Sequence, residues 1–105
     1  MIEQAIILAG GRGTRLRPLT DRLPKPMAPV NGKPFLEYLV ELLRQNGVQE
    51  IVLLLGYLPE KIRDHFGDGS RYGVKISYSV TRAEDETGAR LSAAAPLVRD
   101  TFLLL

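Results

Sequence analysis

The chain has 105 residues, enough for one small domain with a thin core, and its 45% apolar and 25% charged residues are an ordinary globular balance. With no cysteine, disulfides and thiolate metal sites are excluded; with no apolar run near the ~20 residues of a membrane span, and an acid but no basic residue ahead of the first apolar run, neither a membrane span nor a signal peptide is expected, and a cytoplasmic protein is. The net charge of +2 is lopsided: Gly10 to Lys33 carries six basic residues against one acid, +5, which leaves −3 for the rest. Such a patch suits a small polyanion better than nucleic acid, which usually meets a broad basic face.

Ile2 to Ala9 (IEQAIILA) reads as a buried strand of the parallel-sheet kind. Gly10 to Gly32 reads as a long loop with little helical pattern, and loops of that length are usually functional. Pro34 suits the first position of a helix in which Phe35, Leu36, Leu39, Leu42 and Leu43 recur at helical spacing as a core stripe; Gly47 ends it. Glu50 to Leu55 is a second buried strand, closed by Gly56, and Pro59 opens a short helix to about Phe66 with Ile62 and Phe66 inward. Gly67 to Gly73 is turn chemistry. Val74 to Val80 alternates as a half-exposed third strand, Thr87 to Val98 suits a helix, and Thr101 to Leu105 is a fourth strand. This order predicts an α/β layer fold with a mostly parallel sheet and no internal repeat. Sheets of that class bind ligands beyond the carboxyl ends of their strands, and the fourth strand ends with the chain, so residues 1–105 are expected to be the N-terminal portion of one larger domain.

Gly10, Gly11 and Gly13 follow the first strand, where glycine permits positive φ and close approach of a ligand to the main chain. Successive amides there can cup an anion; Arg12 and Arg15 add guanidinium forks suited to phosphate, and Thr14 a hydroxyl. The stretch describes a triphosphate cradle. It is neither a P-loop, lacking Gly-Lys-Ser/Thr, nor a GxGxxG turn, since Leu16 stands where the last glycine belongs. Lys25 lies between Pro24 and Pro26, which restrict its backbone and make it a positioned point charge. Elsewhere, His65 near a helix end, the turn residue Asp68 and the acid run Glu84, Asp85 and Glu86 read as structural or solvated, while Tyr57 suits either a pocket edge or packing.

"LAGGRGTRLRPLTDRLPKPMAPVNGKPFLEY" and "GYLPEKIRDHFGDGSRYGVKISY", within Ile6 to Tyr78, resemble the sugar-1-phosphate nucleotidyltransferases, or NDP-sugar pyrophosphorylases, and most of all the bacterial mannose- and heptose-1-phosphate guanylyltransferases. Thymidylyl- and cytidylyl-transferring relatives share the first motif. The resemblance implies a Rossmann-like three-layer α/β/α fold and transfer of a nucleotidyl group from an NTP to a sugar 1-phosphate, with Mg²⁺ and without a covalent enzyme intermediate. It implies that Leu8, Ala9, Gly10 and Gly11 contact the nucleotide, that Gly11, Arg12, Gly13 and Thr14 wrap its phosphates, and that Arg15 and Lys25 act catalytically on the phosphates.

The family's second glycine loop, Glu-x-x-Leu-Gly-Thr-Ala/Gly-Gly, corresponds here to "EDETGARLSAAAPL". Thr87 and Gly88 are implied base or sugar contacts, while the later glycine is unmatched and Arg90 lies nearby. The family's metal-binding aspartate follows the fourth strand, so no metal ligand is expected within the chain and the Mg²⁺ ligand is expected beyond residue 105. The implied partners are NTP and sugar 1-phosphate, with neither nucleic acid nor membrane, and with homo-oligomer formation left open. A nucleotide-binding or regulatory module of the same fold without turnover, or an inactive fragment, is the alternative reading.

Overall fold

Alternate residues of the first strand face opposite ways, and both directions are apolar, so this strand must be covered on both faces. The computed structural model, which describes residues 3–11, 17–18, 21–98 and 103–104, shows that arrangement. Strand β1 (Gln4–Leu8) is flanked by β4 (Glu50–Leu55) and β6 (Leu103–Leu104), and β5 (Lys75–Val80) lies outside β4. All three pairings are parallel, in the order β5-β4-β1-β6, with Gln4 opposite Glu50 and Leu8 opposite Leu54.

Ala5 and Ile7 of β1, with Ile51, Leu53 and Leu55 of β4, form one core against helices α1 (Phe35–Gln45) and α2 (Pro59–Phe66). Ile6, Val52 and Leu54 face the other way and pack on Ala94 of α3 (Thr87–Ala94), with Leu8, Leu91 and Val98 at the margin. The result is a three-layer α/β/α arrangement. Gln4 is buried in β1 and donates from Nε2 to the Glu50 carboxylate at 3.0 Å and the Leu97 carbonyl at 2.9 Å, which ties β4 and the turn after α3 to the start of the strand. No helix among the described residues is long and apolar enough to cross a membrane.

Strand β4 and helix α2 have the limits their sequences predict. The long loop does not stay featureless: Lys25–Met27 is a 3-10 turn, and β2 (Pro29–Val30) and β3 (Lys33–Pro34) form an antiparallel hairpin. Asn31 and Gly32 turn it with φ of 51° and 79°, the paired left-handed geometry that Asn-Gly adopts readily. Pro34 therefore ends β3 and precedes α1 rather than opening it. The buried stripe of α1 is Leu36, Val40 and Leu43, whereas Phe35 and Leu42 are 53% and 55% exposed, because the hairpin and sheet meet α1 along a narrower face than its leucines suggest. Helix α3 stops at Ala94, and Ala95–Leu97 tightens into a 3-10 turn.

His65 joins α2 to α1 through Glu37 at 3.1 Å and lies edge-on to Phe66. Asp68 accepts from the Ser70 amide, as a turn residue should. Phe66 is fully enclosed, so Phe66→Ala is expected to lower the unfolding free energy by ~3–5 kcal/mol in a urea titration. Tyr78 donates to the Gly67 carbonyl at 2.6 Å, and burial pushes its hydroxyl up to about 12. A raised pKa in the folded state favours the neutral phenol. The stabilisation is therefore complete below the ordinary value of 10.0 and is lost as pH rises toward about 12. Absorbance titration of tyrosinate should show this late step, and Tyr78→Phe should remove it.

Candidate functional site

The chain steps from β1 outward to β4 and β5, then crosses the second face through α3 to return on the far side of β1 as β6. The direction of winding reverses beside β1, and such a switch point opens a crevice beyond the carboxyl ends of the strands. A cleft of about 510 Å³ lies there. Leu8, Gly10 and Gly11 line it from the end of β1; Ala83, Asp85, Glu86, Thr87, Gly88 and Arg90 line it from the segment leading into α3.

Two stretches that the sequence leaves some 70 residues apart thus meet in one cleft, as the parallel-sheet order requires. Leu8, Gly10, Gly11, Thr87 and Gly88 share it. Ala9 does not: its side chain is buried in the core beneath α1, and its amide donates to the Leu54 carbonyl at 2.9 Å. Arg12, Gly13, Thr14 and Arg15 lie outside the described residues. Lys25 is exposed on its 3-10 turn and lines a separate apolar groove of about 470 Å³ with Phe35 and Leu36, which touches the cleft through Leu8. Pro24, buried beneath, accepts the Met27 amide at 2.9 Å and anchors that turn. Tyr57 is half-buried, and its amide donates to the Gly10 carbonyl at 3.0 Å.

Helix α3 begins after Glu86, which makes no side-chain capping bond, so the first-turn N–H groups at the cleft edge have no intrahelical partner. Glu84 and Asp85 both pair with Arg82, at 3.6 and 3.3 Å. The Arg82 amide, bonded to the Asp85 carboxylate at 2.9 Å, is the main cause that holds Asp85 below the ordinary carboxylate range. Among the described residues no three acidic or histidine side chains group together as a metal site.

The residue that sequence reasoning under-read is Arg90, which is only 5% exposed. Its guanidinium lies against the backbones of Gly10 and Gly56, at the ends of the two central strands. A Cβ on Gly56 would come within 2.8 Å of Nη2, and one on Gly10 would strike the same guanidinium and stand 3.0 Å from the Gly56 nitrogen. Neither glycine has a positive φ, so these glycines serve close packing rather than an unusual backbone turn. The available signal was helical spacing: Arg90 stands four residues before the buried Ala94. Gly10→Ala should therefore cost ~1–3 kcal/mol through overpacking, and Arg90→Ala in the same chain should relieve most of it. Gly11→Ala, with open space around its Cα, should be near neutral; urea unfolding of Gly10→Ala, Arg90→Ala, their double variant and Gly11→Ala checks all of this.

The sequence profile described as Nucleotidyl transferase matches residues 4–105. The chain is 41% identical to D-glycero-alpha-D-manno-heptose 1-phosphate guanylyltransferase of Campylobacter jejuni, over 97% of this chain and 46% of that protein. It is 47% identical to N-acetylmuramate alpha-1-phosphate uridylyltransferase of Neisseria meningitidis, over 90% of this chain and 42% of that protein. Among solved structures, HddC from Yersinia pseudotuberculosis complexed with GMP-PN superposes with a TM-score of 0.84 at 33% identity, covering 99% of this chain and 47% of that one. A UDP-glucose pyrophosphorylase complexed with UDP-glucose shares the fold, with a TM-score of 0.85 at 23% identity, covering 100% and 45%. The chain spans less than half the length of each of these proteins, and within that span it belongs to the nucleotidyl transferase family.

Proposed function

We propose that the protein transfers a nucleotidyl group from an NTP to a sugar 1-phosphate, releasing pyrophosphate. A phosphate oxygen of the sugar 1-phosphate attacks the α-phosphorus, and the bond from that phosphorus to the bridging oxygen of the pyrophosphate breaks. The observation that carries this reading is the meeting of the Gly10-Gly11 strand end with Thr87-Gly88 in one cleft at the switch point. Gly10 and Gly11 take the nucleotide against bare backbone, and Thr87 and Gly88 take its base or sugar. Gly11 to Thr14 wrap the phosphates, and Arg15 and Lys25 neutralise charge as it moves onto the leaving oxygen. Displacement at phosphorus depends on in-line positioning and charge stabilisation more than on an acid or base. Magnesium would arrive with the triphosphate, its protein ligand lying outside the residues described.

GTP is the proposed donor and mannose or heptose 1-phosphate the acceptor, supported by the resemblance to the Campylobacter guanylyltransferase. The uridylyltransferase from Neisseria favours UTP as the second reading. Pyrophosphate release by the full-length protein, measured across four NTPs and several sugar 1-phosphates, should give the highest kcat/KM with GTP. A UTP optimum overturns the choice of base and keeps the reaction. Nucleotide binding without pyrophosphate release overturns the reaction in favour of a binding module. Lys25→Ala and Arg15→Ala should each lower kcat/KM by ~10²-fold, as loss of preorganised charge does, with an effect under threefold for both counting against these roles.

A further inference from the structure

Arg90 is a buried cation whose contacts bring together three parts of the cleft. Nη2 donates to the Gly10 carbonyl at 3.3 Å and to the Ala83 carbonyl at 3.0 Å, Nη1 to Thr81 Oγ1 at 3.1 Å, and Nε to the Asp85 carbonyl at 3.2 Å. Thr81 in turn donates from its hydroxyl to the Leu55 carbonyl at 3.3 Å. One side chain therefore spans the end of β1, the end of β4 and the segment 81–86 that forms the opposite wall. All four acceptors are neutral, and the one carboxylate of that segment that is not exposed, Asp85, is bonded to Arg82 instead. A guanidinium buried without an ion pair needs acceptors for its donor fork; each of the three nitrogens of Arg90 donates, and among the described residues no buried side-chain nitrogen or oxygen lacks a hydrogen-bond partner.

We propose that Arg90 is the positioning residue for nucleotide binding: it fixes the 81–86 wall against Gly10, so that the cleft between Gly10-Gly11 and Thr87-Gly88 is formed before ligand arrives. This rests on the nucleotidyl-transfer reading for the ligand but not for the wall. Since Arg90 occupies the Gly10, Ala83 and Asp85 carbonyls, those acceptors are withheld from the ligand, which must be recognised by the groups remaining at the cleft edge. Lysine cannot replace it, because a single ammonium on a flexible stem cannot reach four divergent acceptors while filling the notch beside two glycines.

The test compares full-length protein with Arg90→Ala and Arg90→Lys. Amide hydrogen exchange without ligand comes first, reading the Thr81 and Asp85 amides, which are bonded to the Leu55 and Arg82 carbonyls. Both variants should speed exchange there by tenfold or more while central β4 amides keep their protection; equal rates in all three proteins, or a uniform loss across β4, overturn the proposal. GTP and UTP binding are then measured by calorimetry. The KM for NTP, or the Kd if there is no turnover, should rise at least tenfold in both variants, with the KM for sugar 1-phosphate within threefold of wild type. Unchanged nucleotide affinity, or full rescue by lysine, overturns it. Wild type that binds nucleotide without releasing pyrophosphate ends the transfer reading alone, since the exchange and binding comparisons still decide the role of Arg90.

Discussion

The packing of one guanidinium against bare backbone constrains everything around the cleft. Arg90 can lie at the ends of β1 and β4 only because Gly10 and Gly56 carry no side chain, and those strand ends are held side by side by the parallel register from Gln4–Glu50 to Leu8–Leu54. Burial removes water from the cation, so every lost donor–acceptor contact there would cost more than it would at the surface. The sheet thus fixes the notch, the notch fixes the arginine, and the arginine fixes the polar segment that no apolar residue could anchor.

The same logic explains how a chain with a thin core keeps a defined edge. The face under α1 and α2 contains most of the large apolar side chains, including Leu36, Ile62 and Phe66. The face under α3 has far less: Ile6, Val52, Leu54 and Ala94, with three partly buried neighbours. A helix held by so little hydrophobic area gains proportionately more from directional contacts. Gln4, bonded to the carbonyl of Leu97 just past α3, and Arg90, within its first turns, supply such contacts at the two ends of that layer.

Much of this was legible in the sequence, and the exceptions have physical causes. Glu50 to Leu55 and Pro59 to Phe66 carry local signals that agree with their tertiary surroundings, an apolar run closed by glycine and a proline-initiated amphipathic turn, so their limits were readable. The hairpin around Asn31-Gly32 was readable too, but its strands are two residues each, too short for alternation to show, and the surrounding prolines suggested a loop. Leu42 looked like core because helical spacing says which residues share a face, not how much of that face is covered. The glycine-rich stretch announced a close backbone approach, but not that a side chain of the same protein makes one of the approaches. Helical spacing sets Arg90 on the same face as buried Ala94, but it cannot name its partners, carbonyls 80 residues away and in the loop before α3, a contact that exists only once the sheet has formed.

Lys25 shows the limit of a stiff mount. Buried Pro24 and Met27 fix the turn, and the Ala28 amide closes it onto the Lys25 carbonyl at 3.0 Å, so the Cα of Lys25 has little freedom left to lose. The stem beyond it is a different matter: a lysine side chain carries about 2 kcal/mol of rotamer entropy, and a rigid backbone removes none of it. What the prolines set is the origin from which the ammonium swings, on the far side of Leu8 from the cleft. The apolar wall of Leu8, Pro26 and Phe35 can hold the methylene stem while the charged end seeks an anion, as amphipathic side chains do along apolar surfaces. An anion reaching past Leu8 would meet that charge beside low-dielectric side chains rather than in open water, where the same attraction would be several times weaker.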